Sequence, residues 1–184
     1  GYGKTVYFRV GIGLVVFYTR FKENGEYVER LACTYIEDET KYNSLLHNIK
    51  RNNRGIAWFG DEQNGSPYPI ENHDYISNFL KIFDLKCYAG RETGTKIIIP
   101  FINKKELLND INYKKEGWNT NCFWNNNFEE TLENSILQWY APRINNKNYK
   151  DMFDKPFLKV YINNQKIKFN DDENYFFKVI SELY

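Results

Sequence analysis

Apolar and polar positions alternate with a period of two along the opening stretch of the chain. Val6, Phe8, Val10, Ile12, Leu14, Val16 and Tyr18 share one parity. Such alternation predicts a strand with one face buried. The pattern breaks at Asn24-Gly25, the dipeptide that most readily takes the two left-handed residues of a tight hairpin turn. With those two as the loop, Tyr18 faces Leu31, Val16 faces Cys33 and Leu14 faces Tyr35, all on one side. Arg20 opposes Glu29 on that same side, an attractive pair. A slip of one residue would scatter this set over both faces. Glu23 opposite Glu26 is the one repulsive pairing. The expectation is a ribbon over residues 6–36. Its first strand would be unusually long if unbroken, and Gly11 and Gly13 mark where it bends, bulges or admits another backbone.

Beyond residue 36 the period changes. Tyr42, Leu45, Leu46 and Ile49 repeat at helical spacing and predict a helix over 38–51. Residues 56–59 read as a short strand and 60–70 as a loop. Asn72 caps a helix to Phe83 that buries Ile76, Phe79, Leu80 and Phe83. Residues 86–89 and 96–102 read as a strand pair around a turn at 90–94. Ile97-Ile98-Ile99 has the apolarity of a central strand, but Pro100 limits it to an edge or an early end. Asn103 with Glu106 opens a short helix to residue 112.

No period is readable over 113–127. Asn127 caps the next helix, with Leu132, Ile136 and Trp139 on its apolar face and Ala141-Pro142 at its end. After a polar connector, Asn163-Asn164 predicts a second hairpin in which Val160 faces Ile167 and Leu158 faces Phe169. Lys159 and Lys168 fall on its outer side. Asn170 and Glu173 cap a last helix that buries Phe176, Ile180 and Leu183. The fold class expected is α+β: an antiparallel sheet built from hairpins, the long N-terminal ribbon and the C-terminal hairpin, with about five helices packed on it. The whole chain, 1–184, reads as a single α+β domain.

Composition changes this picture little. Aromatics make up 18% of the residues, and there are 24 asparagines. Aromatics stack on bases and Asn reads hydrogen-bonding edges. Asn, Lys, Ile, Tyr and Phe are also the residues of A/T-rich codons, so an AT-rich genome is the simpler explanation. Mean hydropathy is −0.68 and no apolar run reaches spanning length, so no membrane partner is expected. Cys33, Cys87 and Cys122 lack metal-ligand spacing and suit reduced thiols in a cytoplasmic protein. No signal peptide is visible, and the chain opens at Gly1 rather than Met, as if a preceding piece had been removed.

Charge is nearly balanced overall at +1, but it is polarised along the chain. Residues 41–60 hold Lys41, Lys50, Arg51 and Arg54 with no acid. Residues 116–140 hold acids with no base. Residues 141–170 hold seven bases against Asp151 and Asp154. That distribution is a patch on a surface, unlike the general excess of a dedicated DNA binder.

The candidate catalytic motifs are weak. Gly3-Lys4-Thr5 is followed by a strand where a phosphate-binding loop needs a helix. His47, His73-Asp74 and a later aspartate outline the metal-dependent HD phosphohydrolases, whose architecture is helical. His73-Asp74 also suits an ordinary first helical turn. Cys122 with a histidine would make a thiol nucleophile, but its neighbours Phe123 and Trp124 favour burial. No cofactor and no metal is expected.

The set with most chemical content is Trp139, Tyr140, Arg143, Lys147, Tyr149, Lys150 and Lys155, where aromatics and bases interleave in the connector. Arg51 and Arg54 form a second basic group. Trp, Tyr and Arg are the usual anchors of protein interfaces. The function expected is therefore a non-catalytic macromolecule-binding protein acting by protein–protein contact, such as an inhibitor encoded by a phage or mobile element. A nucleic-acid-binding domain of a replication, repair or RNA assembly is the alternative. An enzyme of the HD or Cys-dependent kind comes third.

Overall fold

The computed structural model describes residues 6–38, 44–46, 55–111, 127–153, 157–169 and 175–183. These fall into two compact units, Gly1–Asn103 and Lys104–Tyr184. The class is α+β. A four-stranded antiparallel sheet and two small two-stranded ribbons combine with five helices of seven or more residues among the described residues.

In the first unit the ribbon forms in the expected register. β1 (Leu14–Glu23) and β2 (Glu26–Ile36) pair from Leu14 opposite Tyr35 to Glu23 opposite Glu26. Asn24 and Gly25 both take positive φ, 51° and 92°, as the turn requires. Glu23 is offset by Arg30, whose Nη2 lies 3.4 Å from its carboxylate. The upstream strand does not form. Val6–Arg9 is instead a single helical turn, α1. Gly13 ends the alternation because its φ is +88°, and a Cβ there would collide with the Ile36 carbonyl oxygen. Local strand pattern yields here to a close backbone crossing.

β3 (Ile56–Phe59) adds to β2, and β6 (Gly94–Ile98) adds to β1, giving the order β3-β2-β1-β6. The apolar Ile97-Ile98 segment is thus an edge strand, as Pro100 demands. Residues 86–89 are not a strand, so the expected pair around 90–94 is replaced by pairing of β6 with β1. Residues 60–70 are more than a loop: β4 (Asp61–Gln63) and β5 (Ser66–Tyr68) form a ribbon turning at Asn64-Gly65.

The expected helix over 38–51 lies mostly outside the described residues. Within it, Leu45 and Leu46 form a turn, and their amides donate to the Glu37 carboxylate at 2.8 and 2.5 Å. α2 (His73–Lys81) begins where Asn72 Oδ1 accepts from the Tyr75 amide at 2.9 Å. Its buried Ile76 and Leu80 meet Val16, Tyr18, Leu31, Cys33 and Ile70 in the unit's core. The inner face of the sheet is the one the alternation marks. Burial pushes the Cys33 thiol up to about 11, so it is an inert core residue.

In the second unit, α3 (Lys104–Ile111) follows Asn103. α4 (Phe128–Tyr140) starts at Asn127, whose Oδ1 accepts from the Glu130 amide at 2.9 Å. The face of α4 differs from expectation. Thr131 and Leu137 are buried, while Leu132 and Trp139 are exposed. Leu137 packs with Ile144 and Ile167, and that contact sets the helix phase. A 3₁₀ turn, Ala141–Arg143, continues the chain into α5 (Lys147–Phe153), where an irregular connector was expected.

β7 (Tyr161–Ile162) and β8 (Gln165–Lys166) turn at Asn163-Asn164, both at positive φ. The Ile167 amide donates to the Val160 carbonyl at 2.9 Å, which is the expected register. α6 (Tyr175–Glu182) is also rotated by a residue: Phe177 packs on the core, whereas Phe176 and Leu183 are exposed. Among the described residues no helix is long and apolar enough to cross a membrane.

Candidate functional site: a lysine-lined cleft

The second unit holds an open cleft of about 640 Å³ between the start of α5, the β7–β8 hairpin and α6. Two asparagines join its walls. Asn145 takes a positive φ of 53°, and its Nδ2 donates to the Ile167 carbonyl at 3.0 Å. Its amide donates to the Leu158 carbonyl at 2.8 Å, and the Leu158 amide returns a bond to Arg143 at 2.7 Å. Asn146 Nδ2 donates to the carbonyls of Pro142 at 3.0 Å and Ser181 at 2.8 Å. Its Oδ1 accepts from the amides of Asn148 at 3.0 Å and Tyr149 at 3.3 Å, capping α5. A single side chain thus links the 3₁₀ turn, α5 and α6.

Lys147, Lys166, Lys168 and Lys178 line the cleft, and Glu182 is the one acid among the lining residues. Lys147, Lys166 and Lys168 are exposed. In a protein of net charge +1 this is a local concentration of positive charge. Lysines present mobile point charges with three donors each, suited to carboxylate or phosphate groups without fixed geometry. Phe169 is the one ring lining the cleft, and it is half-buried against the unit's core.

The described residues among those singled out from sequence lie on α4, the 3₁₀ turn and α5. Lys147 lies in the cleft wall. Trp139 is 76% exposed and Tyr140 is exposed at the end of α4. The Arg143 guanidinium sits 5.5 Å from the centre of the Tyr149 ring, both half-buried, so this pair belongs to the packing of the turn. Lys150 lies on α5. Lys155, Arg51 and Arg54 are outside the described residues, as are His47 and Cys122.

Sequence reasoning missed Lys166, Lys168 and Lys178 as site residues. Lys166 shares parity with Lys168, already placed on the hairpin's outer face, and that was the available signal. Lys178 joins them only through tertiary structure. No protein-family model, curated protein or solved structure matches the chain.

Proposed function

We propose that this is a non-catalytic binding protein that docks an acidic segment of a protein partner in the cleft of its second unit. The observation that carries the reading is the charge of the lining, four lysines against one glutamate. Phe169 is the one ring among the lining residues, whereas a groove for single-stranded nucleic acid sets several rings along its length for base stacking. Trp139 and Tyr140, exposed in the same unit, are residue types that anchor protein interfaces.

Magnitudes limit what charge alone does here. Exposed ion pairs contribute about 0.2–1 kcal/mol each, so four give at most roughly 4 kcal/mol, near a millimolar dissociation constant. Tighter binding needs an apolar anchor in addition, and Trp139 is the candidate. The inhibitor reading is one form of this function and rests on composition.

The test is a titration of a labelled Glu/Asp-rich peptide and of a single-stranded oligonucleotide of equal charge. The peptide should bind more tightly, with affinity that Lys166→Glu with Lys168→Glu abolishes without changing the fold. Tighter oligonucleotide binding, falling log-linearly with salt, establishes the nucleic-acid reading instead.

A further inference from the structure

Glu29, His73 and Cys87 lie far apart in the chain, on β2, in the first turn of α2 and in the segment after it. The fold brings one potential ligand atom from each to within 4.8 Å of the others. We propose that these three residues form a binding site for a divalent transition-metal ion of the zinc class, with water completing the coordination.

The donor set is thiolate, imidazole and carboxylate, the combination that suits a borderline cation such as Zn²⁺ and not Mg²⁺ or Ca²⁺. The groups are held in place from behind. The Tyr18 hydroxyl donates to Glu29 Oε1 at 2.7 Å, and the Tyr88 amide donates to the Tyr18 oxygen at 2.9 Å. The Tyr18 and Tyr88 rings stack with centroids 5.6 Å apart, which fixes the segment carrying Cys87. Such outer partners orient ligands and sharpen affinity. The His73 side chain is 66% exposed and leaves a path for the ion, while that of Glu29 is 9% exposed.

Two other readings of the cluster are weaker. His73 Nδ1 and Glu29 Oε2 are 2.6 Å apart, a contact that an ion pair alone would explain. In that reading Cys87 is only a half-buried thiol packed against the core. Tetrahedral ligands stand about 3.4 Å apart, so a cation replacing the shared proton opens the pair by less than an ångström. A Cys–His–Glu nucleophile needs a thiolate. Burial and the Glu29 charge push the free Cys87 thiol up, outweighing the Tyr18 hydroxyl and Lys96, whereas a bound cation displaces the thiol proton itself. Arg20, with Nε 3.7 Å from Glu29 Oε1, competes for the carboxylate. Its Nη1 is committed to the carbonyls of Gly90 and Glu92 at 3.0 and 2.7 Å, directing the guanidinium toward the 90–92 turn.

The site lies within the first unit, so its test is independent of the cleft. Tag-free protein, purified without chelator and then stripped, is titrated calorimetrically with Zn²⁺ and with Mg²⁺. The expected result is one Zn²⁺ per chain and no Mg²⁺ uptake. Affinity should fall about tenfold or more in His73→Ala and in Cys87→Ala, and stay unchanged in Cys122→Ala. Co²⁺ should give a thiolate-to-cobalt charge-transfer band that Cys87→Ala lacks. Absence of Zn²⁺ uptake, or uptake that survives both His73→Ala and Cys87→Ala, overturns the proposal. Should Cys87→Ala fail to fold, the exposed His73 decides: unchanged affinity in His73→Ala overturns it.

Discussion

Leu31→Ala tests the architecture of the first unit at its centre. Leu31 is fully buried and packs with Val16, Tyr18, Ile70, Ile76 and Leu80. Removing its isobutyl end forfeits about 2–2.5 kcal/mol of transfer free energy, at roughly 0.8 kcal/mol per methylene equivalent. A cavity term adds to this, to the extent that the surroundings cannot collapse. Collapse is restricted at this position. The Leu31 amide and carbonyl both bond to Ile70, at 2.9 and 2.8 Å, while β1 holds the other edge of β2. The expected cost is therefore about 3–4 kcal/mol, in the upper part of the range for buried leucines.

Native-state hydrogen exchange at the β1 and β2 amides reads this unit by itself, and urea unfolding gives the matching midpoint shift. Leu45→Ala is the control, because Leu45 is 76% exposed and its loss should cost under about 0.5 kcal/mol. In a register slipped by one residue Leu31 would face outward. A Leu31→Ala cost no larger than that of Leu45→Ala would refute the packing described here.

Two further outcomes follow from the hydrogen bonds. Asn146→Ala removes donors from the Pro142 and Ser181 carbonyls and the cap of α5, and should cost about 2 kcal/mol by thermal unfolding; a loss under about 0.5 kcal/mol would show the cleft walls are held by other means. Desolvation raises the Glu37 carboxyl, but hydrogen bonds from the Leu46 and Leu45 amides and the Tyr35 hydroxyl outweigh it and hold its pKa below the usual range. Its contribution is then present above the unfolded carboxylate range of about pH 4 and lost as pH falls through the lower folded value. The wild-type advantage over Glu37→Gln in urea midpoint should therefore shrink on acidification, and a gap constant with pH contradicts the assignment.

What was readable from the sequence depended on how many independent signals agreed. At Asn24-Gly25 the turn chemistry, the alternation and the Arg20–Glu29 pairing all give one register, and every pair from Leu14 to Glu23 follows it. The same dipeptide at Asn64-Gly65 makes a turn of the same hand. Its flanks, Asp61–Gln63 and Ser66–Tyr68, are polar and carry a proline, so no alternation reveals them. The helices α4 and α6 were recognisable from their apolar spacing and the caps read at their starts, of which Asn170 and Glu173 lie outside the described residues, but their phase was not. Apolar residues sit on both sides of each, and tertiary contacts of Leu137 and Phe177 choose the buried face.

α5 carries only a single short apolar spacing, Tyr149, Met152 and Phe153, and it is started by a side chain, Asn146, that is also bonded to Ser181. Of the cleft, Lys147 and Lys168 were visible as outward bases. Their meeting with Lys178, like that of Glu29 with Cys87, is a product of the fold alone.

The claim that the lysine cleft receives an acidic protein segment is tested most directly by mapping where such a segment binds. Amide chemical shifts of the labelled protein are followed during addition of a Glu/Asp-rich peptide, in low salt where exposed charges act at full range. The account predicts progressive shifts at Asn145–Asn148, Lys166, Lys168, Lys178, Ser181 and Glu182, which line the cleft. Shifts confined to other surfaces, or no shifts with the peptide while an oligonucleotide of equal charge produces them here, would contradict it.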